Sequence, residues 1–275
     1  MLAMHVDDLM VLGPKENVEV FFAQLQKEVL IREVGRLENP DDEVTYLGKT
    51  ITRTRRGFEL RASDKLIESY IRVCGAEGSK GVDTPIVKYT QIQEEQAELL
   101  EPHEYTPFRS KLGKLLALSH DRPDVQFAAM MIARHAAAPT SLDTWRLKRV
   151  ARYLVAHPRL ANVYEEMQQP KNITVWVDAD WAGDTQSRRS TSGGVLCLGR
   201  APLRTWSRVQ KCMALSTAES EYYALCMGAQ EGILAQQLAL ELSLDFGLVL
   251  KTDSAAARQA TEKIGALRQK HMQLR

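Results

Sequence analysis

The order of apolar and polar positions divides the chain into short alternating runs and longer helical stripes. Residues 2–12 set two apolar runs on either side of Asp7 and Asp8, which predicts a β-hairpin with a polar tip. Val18, Phe21, Phe22, Leu25 and Val29 recur at helical spacing and predict a helix over 15–30. Two β-rich runs around Arg55-Arg56-Gly57 predict a hairpin with a basic turn within 44–61. Ser63 can cap the next helix, which carries Leu66, Ile67, Tyr70 and Ile71 on one face; Gly75, Gly78 and Gly81 end it. From Thr84 to Pro102 the sequence is polar without a clear period and is read as a linker.

Residues 104–157 read as all-helical. Pro123 sits near the first turn of one helix, and a helix over 140–156 carries Arg146, Lys148, Arg149 and Arg152 on its polar side. That cluster is either a solvated face or a phosphate-contacting one. After Pro170 the pattern changes to a strand from Ile173 to Val177 ending in Asp178, then strands over 193–198 and 203–206. A long helix from Ser216 to about Leu242 and a strand from Leu248 to Lys251, followed by Asp253, complete a mixed α/β pattern with carboxylates at element ends.

The 275 residues suggest about two domains, and 44% hydrophobic content is enough to bury a core. A net charge of +1 excludes a polycation, so any nucleic-acid binding must use local charge such as the arginine cluster or Arg188 and Arg189. Cys74, Cys197, Cys212 and Cys226 have no C-x-x-C pairing or zinc spacing and read as inert thiols. With no signal peptide and no apolar run of membrane-spanning length, the expectation is a soluble intracellular protein, cytoplasmic or nuclear, with no membrane partner.

The chemistry suggested by the element ends is metal-assisted phosphodiester cleavage, which needs several carboxylates converging on one point. Asp178, Glu221 and Asp253 occupy a strand end, a helix and a later strand end. Two glutamates compete on the helix. Ser216 and Glu219 fit a capping box, which accounts for Glu219 structurally, while Glu221 lies at the edge of an apolar stripe of Tyr222, Leu225, Cys226, Ala229 and Ile233. Asp180 competes with Asp178, because residues two apart share a strand face; if the strand ends at Asp178, Asp180 lies in the turn. Asp253 could equally be the N-cap of a helix starting at Ser254-Ala255.

Over 178–226 the sequence resembles the RNase H of copia-type retrotransposons. The motifs are Asp178-Ala179-Asp180-Trp181-Ala182-Gly183-Asp184, Arg189-Ser190-Thr191-Ser192-Gly193-Gly194, Trp206-Ser207 and Ala214 through Leu225 with Glu219 and Glu221. Lys270-His271 follows near the end. Upstream, Val6-Asp7-Asp8 resembles the catalytic hairpin of a reverse-transcriptase palm, and Tyr46-Leu47-Gly48 and Thr84-Pro85 resemble palm end and thumb. Phe108 through Gly113, Arg122-Pro123-Asp124 and Ala138-Pro139-Thr140 resemble the connection. These motifs outside the nuclease region argue against an unrelated nuclease of the same fold.

The resemblance implies an α/β chain with a partial palm and thumb over 1–103, a helical connection over 104–169 and a C-terminally truncated RNase H-like mixed sheet with helices over 170–275. It implies that Asp178, Glu221 and Asp253 hold Mg2+ (or Mn2+) for endonucleolytic hydrolysis of RNA in RNA–DNA hybrids, alongside the remainder of the Pol polyprotein. It makes Asp7 and Asp8 a polymerase-site remnant; the family's earlier palm aspartate would precede Met1, so DNA synthesis is not expected. His5 stands where the family usually has tyrosine, and Gln273 where it has an acid, which removes a negative charge. The alternative is a degenerate, non-catalytic retroelement remnant with at most nucleic-acid binding.

Overall fold

The computed structural model describes residues 1–87, 90, 93–94, 96–184 and 187–262. Its architecture is mixed α/β, and the chain forms two compact units: Met1–Ser63 with Ala161–Tyr164, and Asp64–Leu160 with Glu165–Arg275.

The first unit begins with the expected hairpin, β1 (Leu2–His5) antiparallel to β2 (Asp8–Val11), with His5 paired to Asp8 across the tip. α1 (Lys15–Glu28) follows. Its apolar stripe is only half covered: no residue of the helix is buried, and Val20, Val29, Leu30 and Val34 are exposed. The segment 44–61 makes three strands rather than two, β3 (Glu43–Tyr46), β4 (Lys49–Thr54) and β5 (Gly57–Arg61). The extra break falls at Leu47-Gly48, where both residues take left-handed φ (50° and 75°), the conformation that two-residue hairpin turns require. A strand not anticipated from sequence, β6 (Ala161–Glu165), adds to β5 and completes a four-stranded sheet of order β3-β4-β5-β6.

In the second unit, α2 (Asp64–Val73) packs with α3 (Tyr105–Ser119) and α5 (Ser141–Ala156), and α4 (Pro123–Ala133) lies against α3 and α5. Leu112, Leu115, Leu118, Val125, Ile132, Leu147, Val150 and Leu154 are buried in these helices, and the Tyr70 hydroxyl donates to the Leu147 carbonyl at 2.9 Å. The sheet that follows runs β10-β7-β8-β9, from β7 (Asn172–Asp180), β8 (Thr191–Leu198), β9 (Ala201–Val209) and β10 (Gly247–Lys251). β7, β8 and β9 are antiparallel neighbours, while β10 returns parallel to β7 after the long helix α6 (Thr217–Glu241). α7 (Ala255–Glu262) closes the described chain.

Strict alternation on β7 buries Ile173, Val175, Val177 and Ala179 under α6. The helix does not meet them with the apolar stripe read from sequence, since Cys226 and Ile233 are exposed. It turns small residues inward instead: Ala224, Gly228 and Gly232 are buried with Glu221 and Leu225. A Cβ at Gly228 would sit 2.5 Å from Val177 Cγ1 and 3.3 Å from Val175 Cγ1, so the helix backbone rests directly on the strand. Valine is stiff at χ1 and cannot swing away. Gly228→Ala is therefore expected to lower unfolding free energy by about 1–3 kcal/mol through overpacking. Gly113→Ala on α3, where a Cβ meets nothing within 4 Å, should raise it by about 0.5–1 kcal/mol. Equal urea midpoints for the two variants would contradict the packing described.

Candidate metal centre

Three elements deliver three carboxylates to one end of the second sheet. Asp178 lies on β7 opposite Gly193 of β8, on the face away from the buried residues. β10 runs parallel to β7 with Lys251 beside Trp176, so Asp253, two residues further on, comes level with Asp178. Glu221 lies near the start of α6 on the inward face with Ala224, Leu225 and Gly228, and reaches the end of β7 from the helix side. One oxygen from each of Asp178, Glu221 and Asp253 lies within 4.8 Å of the others.

The local sequence explains each placement. Ser216 caps α6 by accepting from the Glu219 N–H at 3.2 Å. Glu219 reaches back as expected of a capping glutamate, but to Leu215, whose N–H donates to its carboxylate at 2.7 Å; Tyr223 also donates to it. Glu219 is thus committed to the helix start. At Asp253 the N-cap reading is displaced: Ser254 supplies the cap oxygen to the Ala257 N–H at 3.2 Å. β7 runs on through Asp180, so Asp180 is in the strand rather than the turn. It is not among the clustered oxygens; with Asp184 it acts on the half-buried Arg134, which also donates to the Thr191 hydroxyl at 2.6 Å.

Glu221 is the strained member. Only 5% of it is exposed, and its Oε2 is buried with no hydrogen-bond partner. Burial, then the charges of Asp178 and Asp253, push its carboxyl up to about 7, opposed by the Ala179 backbone N–H. A divalent cation would relieve the repulsion and take up the unpaired oxygen. Oxygen donors at this spacing suit Mg2+ or Mn2+, so the residues present fit such ions.

The other candidates separate. Asp7 and Asp8 are exposed at the β1–β2 tip, and among the described residues no cluster of three acids includes them. Arg146 requires a correction: it is 4% exposed and paired with the fully buried Asp143 at 2.9 Å and with Glu94 at 2.6 Å, so it belongs to no open basic face. His135 Nδ1 shares the same Asp143 carboxylate at 2.7 Å. Arg149 donates to the hydroxyl of Thr84, the first residue of the stretch read as a linker, and Arg152 to the Lys80 carbonyl just before it, both at 2.8 Å; Lys148 is exposed. Arg188 and Arg189 are exposed in the turn before β8. Lys270, His271 and Gln273 lie outside the described residues.

No family model matches the chain. It is 29% identical over 232 residues to an uncharacterized mitochondrial protein of Arabidopsis thaliana, covering 84% of this chain and 92% of that protein. It is 28% identical over 232 residues to the retrovirus-related Pol polyprotein from transposon RE2 of the same plant, covering 84% of this chain and 15% of the polyprotein. Its homologues are retrovirus-related Pol polyproteins of copia-type transposons. The chain spans only a small share of those polyproteins. Among solved structures, the foamy viral protease-reverse transcriptase in complex with double-stranded DNA shares its fold, with a TM-score of 0.50 and 14% identity over 96% of this chain and 41% of that one. The chain has a reverse transcriptase/RNase H-like fold. Among the described residues no helix is long and apolar enough to cross a membrane.

Two outcomes follow from this geometry. In the metal-free protein, Glu221 takes up a proton on folding between its unfolded value of 4.5 and its folded value of about 7, so stability should fall as pH rises through that window. Urea midpoints of Glu221→Gln should lose that fall and exceed the parent above pH 7; identical profiles would remove the burial-and-repulsion account. Arg146→Ala leaves the buried Asp143 to His135 and Thr140 alone and should cost about 1.5–3 kcal/mol, against less than about 0.5 for Lys148→Ala, in the same denaturation measurement.

Proposed function

We propose that this chain carries the metal-dependent ribonuclease centre of a copia-type Pol polyprotein, hydrolysing RNA paired with DNA. Residues 1–103 are the end of the palm and the thumb, with Asp7 and Asp8 as the polymerase-site pair. Residues 104–169 are the connection, and residues 170–275 the RNase H-like domain. The observation that carries this reading is the convergence of Asp178, Glu221 and Asp253, with the buried oxygen of Glu221 unpaired.

In this reading the three carboxylates hold two Mg2+ or Mn2+ ions. Such ions activate the attacking water and neutralise charge at the scissile phosphate and the leaving oxygen. Asp178, on β7, and Asp253, just past β10, are exposed and face incoming substrate. Glu221 is held by α6 beside Asp178 and Asp253 despite their repulsion, before any cation arrives. Rigid placement of this kind spares reorganisation during the reaction. The exposed Lys148, Arg188 and Arg189 are available to phosphates, while Arg149 and Arg152 are half-buried and bonded to Thr84 and Lys80, and Arg146 is excluded by its burial. Backbone-led binding of this type weakens with salt, and a hybrid is told from DNA by shape and 2′-hydroxyls.

The test is cleavage of an RNA–DNA hybrid by the chain in Mg2+ and in Mn2+. Asp178→Asn and Asp253→Asn should each lower the rate by about a hundredfold or more, because metal-ion stabilisation supplies several kcal/mol and about 1.4 kcal/mol is tenfold. Salt-sensitive hybrid binding without cleavage in either metal would overturn the catalytic reading and favour a non-catalytic nucleic-acid-binding remnant.

A further inference from the structure

Behind the carboxylate cluster lies a second polar assembly, centred on Gln210, a residue outside every motif the sequence offers. Gln210 follows β9 and is 3% exposed. Its backbone N–H donates to the Ser190 carbonyl at 2.8 Å. Its side-chain nitrogen donates to the Ser192 hydroxyl at 2.9 Å and to the Ser220 carbonyl at 2.8 Å. A carbonyl can only accept, so the Ser220 contact fixes which end of the amide points at the helix. Ser192 and Ser220 are fully buried. Ser192 pairs with Ala179 of β7, whose N–H faces the Glu221 carboxylate, and Ser220 immediately precedes Glu221. The amide therefore ties the first turns of α6 to β8 at the level of the acids. Its own oxygen is left buried with no partner. A glutamine kept for core stability alone would not be expected to leave a buried acceptor unpaired.

We propose that Gln210 is a positioning residue for the metal centre, holding Glu221 in register with Asp178 and Asp253 through Ser220 and Ser192. The inference rests on the metal-centre reading above. Groups that orient metal ligands typically change metal affinity about 10–100-fold when removed.

The test measures Mn2+ affinity of the metal-free full chain by the resonance of free Mn2+, together with thermal unfolding. Gln210→Met should weaken Mn2+ binding about tenfold or more, and Ser192→Ala, which keeps the bond to Ser220, should weaken it less. On a Glu221→Gln background Gln210→Met should change nothing further, because its effect runs through Glu221; a purely structural glutamine would show no such coupling. The proposal is overturned if Gln210→Met leaves affinity at the parent value, or weakens it equally on the Glu221→Gln background. Should Gln210→Met fail to fold, unchanged affinity in Ser192→Ala overturns it. Parent protein whose Mn2+ binding is indifferent to Asp178→Asn would remove the metal-centre reading itself, and the proposal with it.

Discussion

The direct contact between the backbone of α6 and the side chains of β7 sets the geometry around the carboxylate cluster. With Gly228 against Val177, the helix axis lies closer to the sheet than any larger residue would permit. That closeness lets a glutamate on the inward face reach the end of the strand rather than ending in the core. The same approach buries Glu221 and leaves it one oxygen short of a partner. β10 adds the third acid because its parallel pairing with β7 puts Asp253 level with Asp178. Register, helix depth and carboxylate spacing are thus one constraint seen from three elements.

Much of this was legible in the sequence because it is local. Alternation in Ile173, Val175 and Val177 marks a half-buried strand, and Ser216 with Glu219 marks a helix start. The preference for Glu221 over Glu219 as the candidate ligand rests on that cap and on the helix face, and the Glu219 carboxylate accepts from Leu215 and Tyr223. The face of α6 was misread because hydrophobicity was taken as the guide. Where a helix lies directly on a strand, small residues face inward and larger ones such as Ile233 are left outside. Gly228 and Gly232, four apart on one helix, were the available signal of close approach. β6 escaped notice because its partner β5 lies a hundred residues earlier, and a pairing at that separation leaves no mark on its own short stretch. Gln210 escaped for a similar reason: its bonds run to Ser192 and Ser220, on two other elements.

The basic helix shows a different limit. Spacing puts Arg146, Lys148, Arg149 and Arg152 on the polar side of α5, which suits a solvated face or a phosphate-contacting one, yet Arg146 is buried. Asp143 lies one turn before Arg146 and is buried by the cap with Thr140, where the Asp143 carboxylate also accepts from the Thr140 N–H at 2.9 Å. Its carboxyl, although pushed up by desolvation, is held down at about 2 by His135, the Thr140 backbone and Arg146. A buried anion of that kind recruits the nearest guanidinium whatever the surface might have used it for. Arg149 and Arg152 then supply donors to the 80–84 segment, whose Val82 N–H in turn donates to the Arg152 carbonyl. The arginines thus act first as the means by which an aperiodic stretch is held to a helix.

The carboxylate cluster sets stability against function in one place. Three acids brought within 4.8 Å repel one another, and Glu221 answers by holding a proton up to about pH 7. A protein selected only to be stable would replace Glu221 with an apolar residue, since nothing in the fold completes its hydrogen bonding. The neighbouring Glu219 shows the contrast, being a glutamate whose oxygens are taken up by its own helix start. Glu231, further along α6, is buried too, but Arg204 and Arg208 of β9 pair with it at 3.0 and 2.9 Å. Of these three inward glutamates on one helix, two are matched by local partners and one is aimed at two further acids. That difference sets Glu221 apart from the structural carboxylates more firmly than proximity alone. An unmatched buried charge on a helix pressed tightly to its sheet is an energetic cost that a cation can relieve, which ties the packing at Gly228 to the chemistry proposed for Asp178, Glu221 and Asp253.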